Sequence, residues 1–243
     1  MRNALVKFSH DGWLVRAAPG HERLARLLTR FTPPPPPVEP LRDDYRSYVG
    51  VFEVEGRRVV AKSPRMKNRA SWNRLTTLLR TGESTATVTA CLAVRSDGIP
   101  VPEYICSLER RSLGMIVDSW MFYLFVPGVP CGSDQYGLVV ESLASLHRAG
   151  WVHGDPHIAN FLRVGDGVQI LDCRPRPARF GSLSECYDFV RLVNSEPDLA
   201  PHLGSRARTL PYRVARAYDR AIHGWRDVKR EVRSGIGRPR RLG

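Results

Sequence analysis

The side chains best suited to chemistry lie together in one stretch, residues 151 to 172, which reads WVHGDPHIANFLRVGDGVQILD. Asp155 stands five residues before Asn160, and Gly154 and Pro156 on either side of it make its loop tight. Phe161 to Val164 and Val168 to Leu171 are short apolar runs around Gly165-Asp166-Gly167, the pattern of an antiparallel hairpin with a three-residue loop. With Asp166 at the centre of the turn, Val164 faces Val168, Leu162 faces Ile170 and Asn160 faces Asp172. An amide oxygen beside a carboxylate suits a hard cation that keeps several waters and shares its shell with phosphate oxygens, which makes magnesium the natural guest. Asp155, aimed at the same space from the other side, fits a base or orienting group for a substrate hydroxyl. His153 heads the loop and reads foremost as its hydrogen-bonding brace. His157 reads equally well as a contact to phosphate or substrate and as a structural residue.

A second candidate lies about a hundred residues upstream. Tyr48 to Val54 and Val59 to Lys62 flank Glu55-Gly56, and pairing about that two-residue turn sets Val54 opposite Arg57, Phe52 opposite Val59 and Val49 opposite Lys62. A lysine thereby ends a half-buried hairpin, a place where an edge charge is also commonplace.

The elements that must position these groups follow from pattern. Residues 1 to 40 read as an N-terminal extension: Leu24, Leu27 and Leu28 among arginines form a short basic amphipathic helix, docking or solvated, and Pro33 to Pro37 lock an extended polyproline spacer. Ser71 to Ser96 reads as helix in two pieces broken near Thr81-Gly82, and Met115 to Val126 as one or two strands closed by Pro127-Gly128. After an N-cap at Ser133-Asp134, Val139, Leu143 and Leu146 recur at helical spacing and Gly150 supplies the stop. Ser184 to Arg233 is helical by pattern. The division expected falls at 41–126 and 127–233 with a basic tail at 234–243, and the Gly/Pro-containing run from Arg230 to Gly243 reads as disordered.

Composition narrows the partners. The 243 residues carry 37 basic and 24 acidic side chains, a formal +13, and all the basic residues but Lys7, Lys62, Lys67 and Lys229 are arginines. Arginine's planar fork grips two phosphate or carboxylate oxygens at once, so nucleic acid, anionic lipid or a phosphorylated substrate is the expected partner. The longest apolar run, Trp120 to Val126, is far short of the ~20 residues that span a bilayer, and residues 1 to 8 lack the apolar core of an export signal, so the chain reads as cytoplasmic. Five cysteines without a CxxC pair argue against a disulfide framework or a structural zinc.

The pattern H-G-D-x4-N, a hairpin, then a strand ending in Asp resembles the protein-kinase-like superfamily, and most closely the lipopolysaccharide core heptose(II) kinase family, whose stretch H-G-D-P-H-x-x-N-F and strand I-x-D read here as His153 to Phe161 and Ile170 to Asp172. The resemblance implies an α+β, bilobal fold with a small antiparallel-sheet N-lobe at 41–126 that binds nucleotide and a mainly helical, catalytic C-lobe at 127–233. It implies ATP and Mg2+ as cofactors, with Asp155 as catalytic base beside His153, Asn160 and Asp172 as metal ligands, Lys62 on the ATP phosphates, Gly50 above those phosphates, and Glu83 holding Lys62. It further implies a lipopolysaccharide core glycolipid as acceptor and peripheral contact with the anionic inner membrane surface. The chain departs from protein kinases: D-F-G is Asp172-Cys173-Arg174, and there is no G-x-G-x-x-G loop and no A-P-E segment. A RIO-like or tRNA-modification-associated kinase is the alternative enzyme. A nucleic-acid-binding pseudokinase is the non-enzyme alternative, disfavoured because every key polar residue is present and no aromatic-basic RNA-binding strand is found.

Overall fold

The computed structural model describes residues 4–32, 34–69 and 71–236. Its larger sheet has seven antiparallel strands in the order β1-β2-β6-β7-β5-β4-β3, where β1 is Val6–His10, β2 Trp13–Ala17, β3 Glu39–Asp43, β4 Tyr48–Val54, β5 Arg57–Ser63, β6 Tyr104–Ser112 and β7 Met115–Leu124. Alternation along the strands sends Val15, Phe52, Val59 and Phe122 to one face, where helix α1 (Glu22–Leu28) covers them with Leu24 and Leu28. On the opposite face, which bears Lys62, helix α4 (Glu83–Ser96) packs Val88, Cys91 and Leu92 against Tyr104 and Met121. Two short helices, α2 (Arg65–Arg69) and α3 (Ser71–Thr76), bridge β5 to α4, with the expected break falling at residues 77 to 82.

The first 40 residues do not stand apart from this lobe. β1 and β2 extend the sheet through β6, and Leu24 and Leu28 are buried core side chains, so α1 packs its apolar stripe on the sheet and leaves Arg23 and Arg26 exposed. Residues 34 to 37 are extended as proline requires, but they lead directly into β3, Val38 N–H donating to Val51 O at 2.9 Å. Pro33 lies outside the described residues.

Residues 125 to 128 carry the chain into the second lobe. There β8 (Val129–Pro130), β10 (Phe161–Val164) and β11 (Gly167–Ile170) form a small sheet, and β9 (Trp151–Val152) pairs with β12 (Arg176–Pro177). Around them lie α5 (Tyr136–Arg148), α6 (Ser182–Ser195), a kinked 3-10 segment Pro197–Arg208, and α7 (Leu210–Ile236). Ser133 and Asp134 form the 3-10 turn that leads into α5, and Gly150 ends the helix connection at φ +83°. Val139, Leu143, Leu146, Phe161, Ile170, Leu192 and Leu199 are fully or almost fully buried in one core. Residues 230 to 236, expected in a disordered tail, continue α7; residues 237–243 lie outside the described residues.

Candidate active site

The two lobes meet where Lys62 reaches Asp172. The register of the first hairpin is the one expected, Val54 with Arg57, Phe52 with Val59 and Val49 with Lys62, because Glu55 at φ +49° and Gly56 at φ +68° form the tight turn that matches strand twist. This puts Lys62 at the end of β5 nearest the helical lobe. Its Nζ forms an ion pair with Asp172 Oδ1, across 110 residues of sequence. The lysine side chain is 15% exposed and the aspartate 48%, so the pair lies at the mouth of the cleft, open to a ligand.

Asp172 arrives by a route that pattern alone does not give. In the second hairpin Phe161 faces Ile170, Leu162 faces Gln169, Arg163 faces Val168 and Val164 faces Gly167, one residue out of the expected register. The turn has two residues, with φ positive (+57°) at Gly165 and not at Asp166, and Gly167 belongs to the strand. A one-residue slip exchanges faces, and it sets Phe161 directly against Ile170, both fully buried. Asn160 therefore does not stand opposite Asp172; its carbonyl accepts from Leu171 N at 2.7 Å. Asp172 then leaves the strand in the left-handed region, φ +45°, a conformation that costs a non-glycine residue of order 1 kcal/mol and is held by its surroundings.

The loop bearing Asp155 is braced from beneath. His153 is fully buried beside Phe161, and its Nδ1 accepts from Asp155 N at 3.3 Å. Burial pushes His153 below the ordinary histidine value against the opposing pull of Asp188, Asp172 and Asp155, which keeps the ring neutral. It braces the loop and does not face the cleft. Asp188 of α6, itself buried, accepts from His153 N at 2.6 Å and Gly154 N at 3.2 Å, and His147 Nε2 lies 3.2 Å from it. Arg191, one turn further along α6, donates to Asp155 Oδ1 at 2.5 Å and to Gly154 O at 2.8 Å. Asn160 Nδ2 donates to Asp155 O at 3.2 Å, which commits its amide nitrogen to the loop and leaves its oxygen as the end available to a cation. His157 caps the 3-10 turn at 158 to 160, its Nδ1 accepting from Ala159 N at 3.2 Å, which is the structural one of its two readings.

Two nucleotide-site expectations change. Gly50 sits within β4, paired with Ala61, and a Cβ there would stand 2.9 Å from the Tyr48 hydroxyl and 3.1 Å from Pro37 Cβ. Position 50 is thus crowded on the face away from Lys62. The chain that overhangs the Lys62 end of the sheet is the β3–β4 connection, residues 44 to 47, tightened by Asp44 Oδ1 accepting from Arg46 N at 2.7 Å and Ser47 N at 2.8 Å. Glu83, the one carboxylate on α4, forms an ion pair with Arg174 at 3.2 Å, and the partner given to Lys62 is Asp172.

The residues that pattern reading missed are those that hold others in place: Asp188, Arg191 and Glu109. Glu109 is buried on β6 and accepts from Gly82 N at 3.0 Å and Thr85 Oγ1 at 2.6 Å while pairing with Arg16 at 2.9 Å, which fixes the start of α4. Burial, the largest influence on its pKa, pushes it up, but the bonds from Thr85, Arg16 and Arg111 together outweigh burial and leave it below the ordinary carboxylate value. An acid at an apolar position of a strand or helix is the signal that finds such residues; Asp188, between Tyr187 and Phe189, carries it.

Among the described residues no group of three or more His, Cys, Asp or Glu side chains could hold a metal on its own. An amide oxygen and one exposed carboxylate fit a cation that takes its remaining ligands from water and phosphate, and Mg2+ is such an ion.

No family model matches the chain. Among solved structures it is similar to WaaP in complex with acyl carrier protein, with 17% sequence identity, coverage of 89% of this chain and 98% of that chain, and a TM-score of 0.51. The likeness establishes the fold: α+β and bilobal, with the antiparallel sheet and helical lobe of the kinase-like architecture.

Proposed function

We propose that the chain is an ATP-dependent phosphotransferase that phosphorylates a sugar hydroxyl, a heptose of the lipopolysaccharide inner core. The observation that carries the reading is the ion pair between Lys62 and Asp172, which joins the sheet lobe to the segment following H-G-D-x4-N. In that reading Lys62 exchanges its carboxylate partner for the ATP phosphates. Asn160 and Asp172 hold Mg2+, which when bound neutralises charge on the phosphate oxygens. Asp155, oriented by Arg191 and by the loop braced on Asp188, accepts the proton of the acceptor hydroxyl. The hydroxyl oxygen bonds to the γ-phosphorus as the bond from that phosphorus to ADP breaks, so catalysis is a matter of positioning and charge.

The lobe division at 126/127 belongs to the same proposal, the connection at 125 to 128 serving as the hinge. The +13 charge supports an anionic acceptor and peripheral contact with an anionic leaflet on its cytoplasmic side. Among the described residues no helix is long and apolar enough to cross a membrane. Asp155→Asn tests the reading: phosphate transfer to core oligosaccharide, followed by mass spectrometry, should be abolished while ATP binding stays near the wild-type value. Unchanged turnover in this variant would remove Asp155 as the base.

A further inference from the structure

A cavity of about 470 Å3 lies between α3, the start of α4 and the segment after Asp172. Arg74, Arg80, Arg174 and Arg176 line it, and Glu83 is the one carboxylate among its lining residues. We propose that this cavity seats an acidic group, a phosphate monoester or a carboxylate, carried by the sugar acceptor, and thereby selects the hydroxyl presented to Asp155. The inference deepens the function proposed above and rests on it.

Four guanidinium groups facing one carboxylate leave a local excess of positive charge that repels itself until an anion enters. Three of these arginines are also tethered. Arg74 Nε donates to Asn68 O at 2.5 Å, Arg80 Nη2 to Thr76 Oγ1 at 2.7 Å, and Arg174 Nη1 lies 3.2 Å from Glu83. A guanidinium has five N–H donors, so each tether fixes a fork and still leaves donors for a planar, two-oxygen ligand. Holding the forks in advance lowers the ordering cost of binding.

The wall of the cavity runs into the catalytic loop. Arg174 N donates to His153 O at 3.1 Å, and a Cβ on Gly154, the neighbour of Asp155, would stand 3.2 Å from Arg174 O and 4.0 Å from Arg176 Nε. An acid held by these arginines is therefore a short reach from Asp155. Neither Lys62 nor Asp172, the nucleotide's proposed anchors, is among the residues lining the cavity.

The test is calorimetric titration of the full chain, saturated with a non-hydrolysable ATP analogue, with deacylated core oligosaccharide in three forms: untreated, phosphatase-treated and carboxyl-methylated. Affinity for the untreated form should fall about tenfold or more in Arg80→Gln and in Arg176→Gln. Both side chains are exposed, so the melting temperature should hold. Arg80→Lys, which keeps the charge and loses the fork, should fall between wild type and Arg80→Gln and so separates recognition from damage to the fold. Loss of wild-type binding on phosphatase treatment assigns phosphate; loss on methylation assigns carboxylate. Equal affinity in wild type and in the variant combining Arg80→Gln with Arg176→Gln, or wild-type affinity indifferent to both treatments, overturns the cavity as the anchor. Binding as expected without phosphate transfer overturns the kinase reading alone, and transfer with an unchanged acceptor KM in both variants overturns the cavity alone.

Discussion

Two hairpins deliver the facing charges of the cleft, and they do it in different ways. In β4–β5 the turn Glu55-Gly56 sets the register, the register sets the face, and Lys62 needs nothing further to point into the cleft. In β10–β11 the register serves the core, matching Phe161 with Ile170, and Asp172 lies beyond the last paired residue in a left-handed conformation. A side chain within a ladder inherits its direction from pairing. One beyond the ladder takes its direction from whatever holds the backbone there, and here that is the packed loop at 153 to 160 with Asp188 beneath it.

The largest effect should come from cutting the contact in which the two hairpins meet. Asp172→Asn and Lys62→Met should each lower kcat/KM by a factor of about 10^3 or more, since in the proposed function each removes a charge that positions phosphate in the transition state. Both side chains border the cleft, so thermal melting should move little. The double variant should be scarcely worse than either single one, because the two act as a unit. Additive losses in a transfer assay would show that the two hairpins serve separate functions.

Below the chemistry lie two buried carboxylates, one supporting each hairpin's lobe. Glu109→Gln should destabilise the fold by about 3 kcal/mol in urea unfolding, because it leaves the Arg16 guanidinium buried without its counter-charge. Since the folded-state pKa of Glu109 lies below its unfolded value, its contribution is fully present above the ordinary carboxylate pKa and is lost as pH falls through the folded pKa. The variant's stability should therefore fall less steeply with acid than the wild type's. Asp188→Asn should cost about 2 kcal/mol, one amide oxygen remaining to serve the two N–H groups of His153 and Gly154. The contrast is in activity: Asp188→Asn should lower kcat at saturating ATP with KM for ATP nearly unchanged, whereas Glu109→Gln, which supports α4, should raise that KM.

What could be read from the sequence follows the same division. Residues whose place is fixed by local rules were legible: the Lys62 register from a two-residue turn, the α3–α4 break from Gly82, the buried stripe of α5 from its spacing. The proximity of Asp155, Asn160 and Asp172 was legible as a set, though not by the pairing assumed, because a Gly-Asp-Gly run permits a two- or a three-residue turn and only the packing of Phe161 against Ile170 chooses. The use of the first 40 residues was hidden because β1 and β2 are completed by β6, some ninety residues away. Asp188, Arg191 and Glu109 act on partners that tertiary contact alone brings near, and no spacing rule reaches that far.

The smallest effect isolates the turn itself. Because the second hairpin closes through Gly165-Asp166, only Gly165 needs positive φ, and Gly165→Ala should cost about 1 kcal/mol, as Gly56→Ala should in the first hairpin. Gly167 has no such φ, and the nearest atom to an added Cβ is Val164 O at 3.8 Å, an ordinary contact. Gly167→Ala should therefore leave stability within about 0.5 kcal/mol of wild type. A three-residue loop would reverse the order, since its glycine must sit at the third position, where the chain returns to the strand in the left-handed region. Urea midpoints of the three alanine variants decide between the registers, and with them whether Asp172 is aimed by strand pairing or by its own backbone.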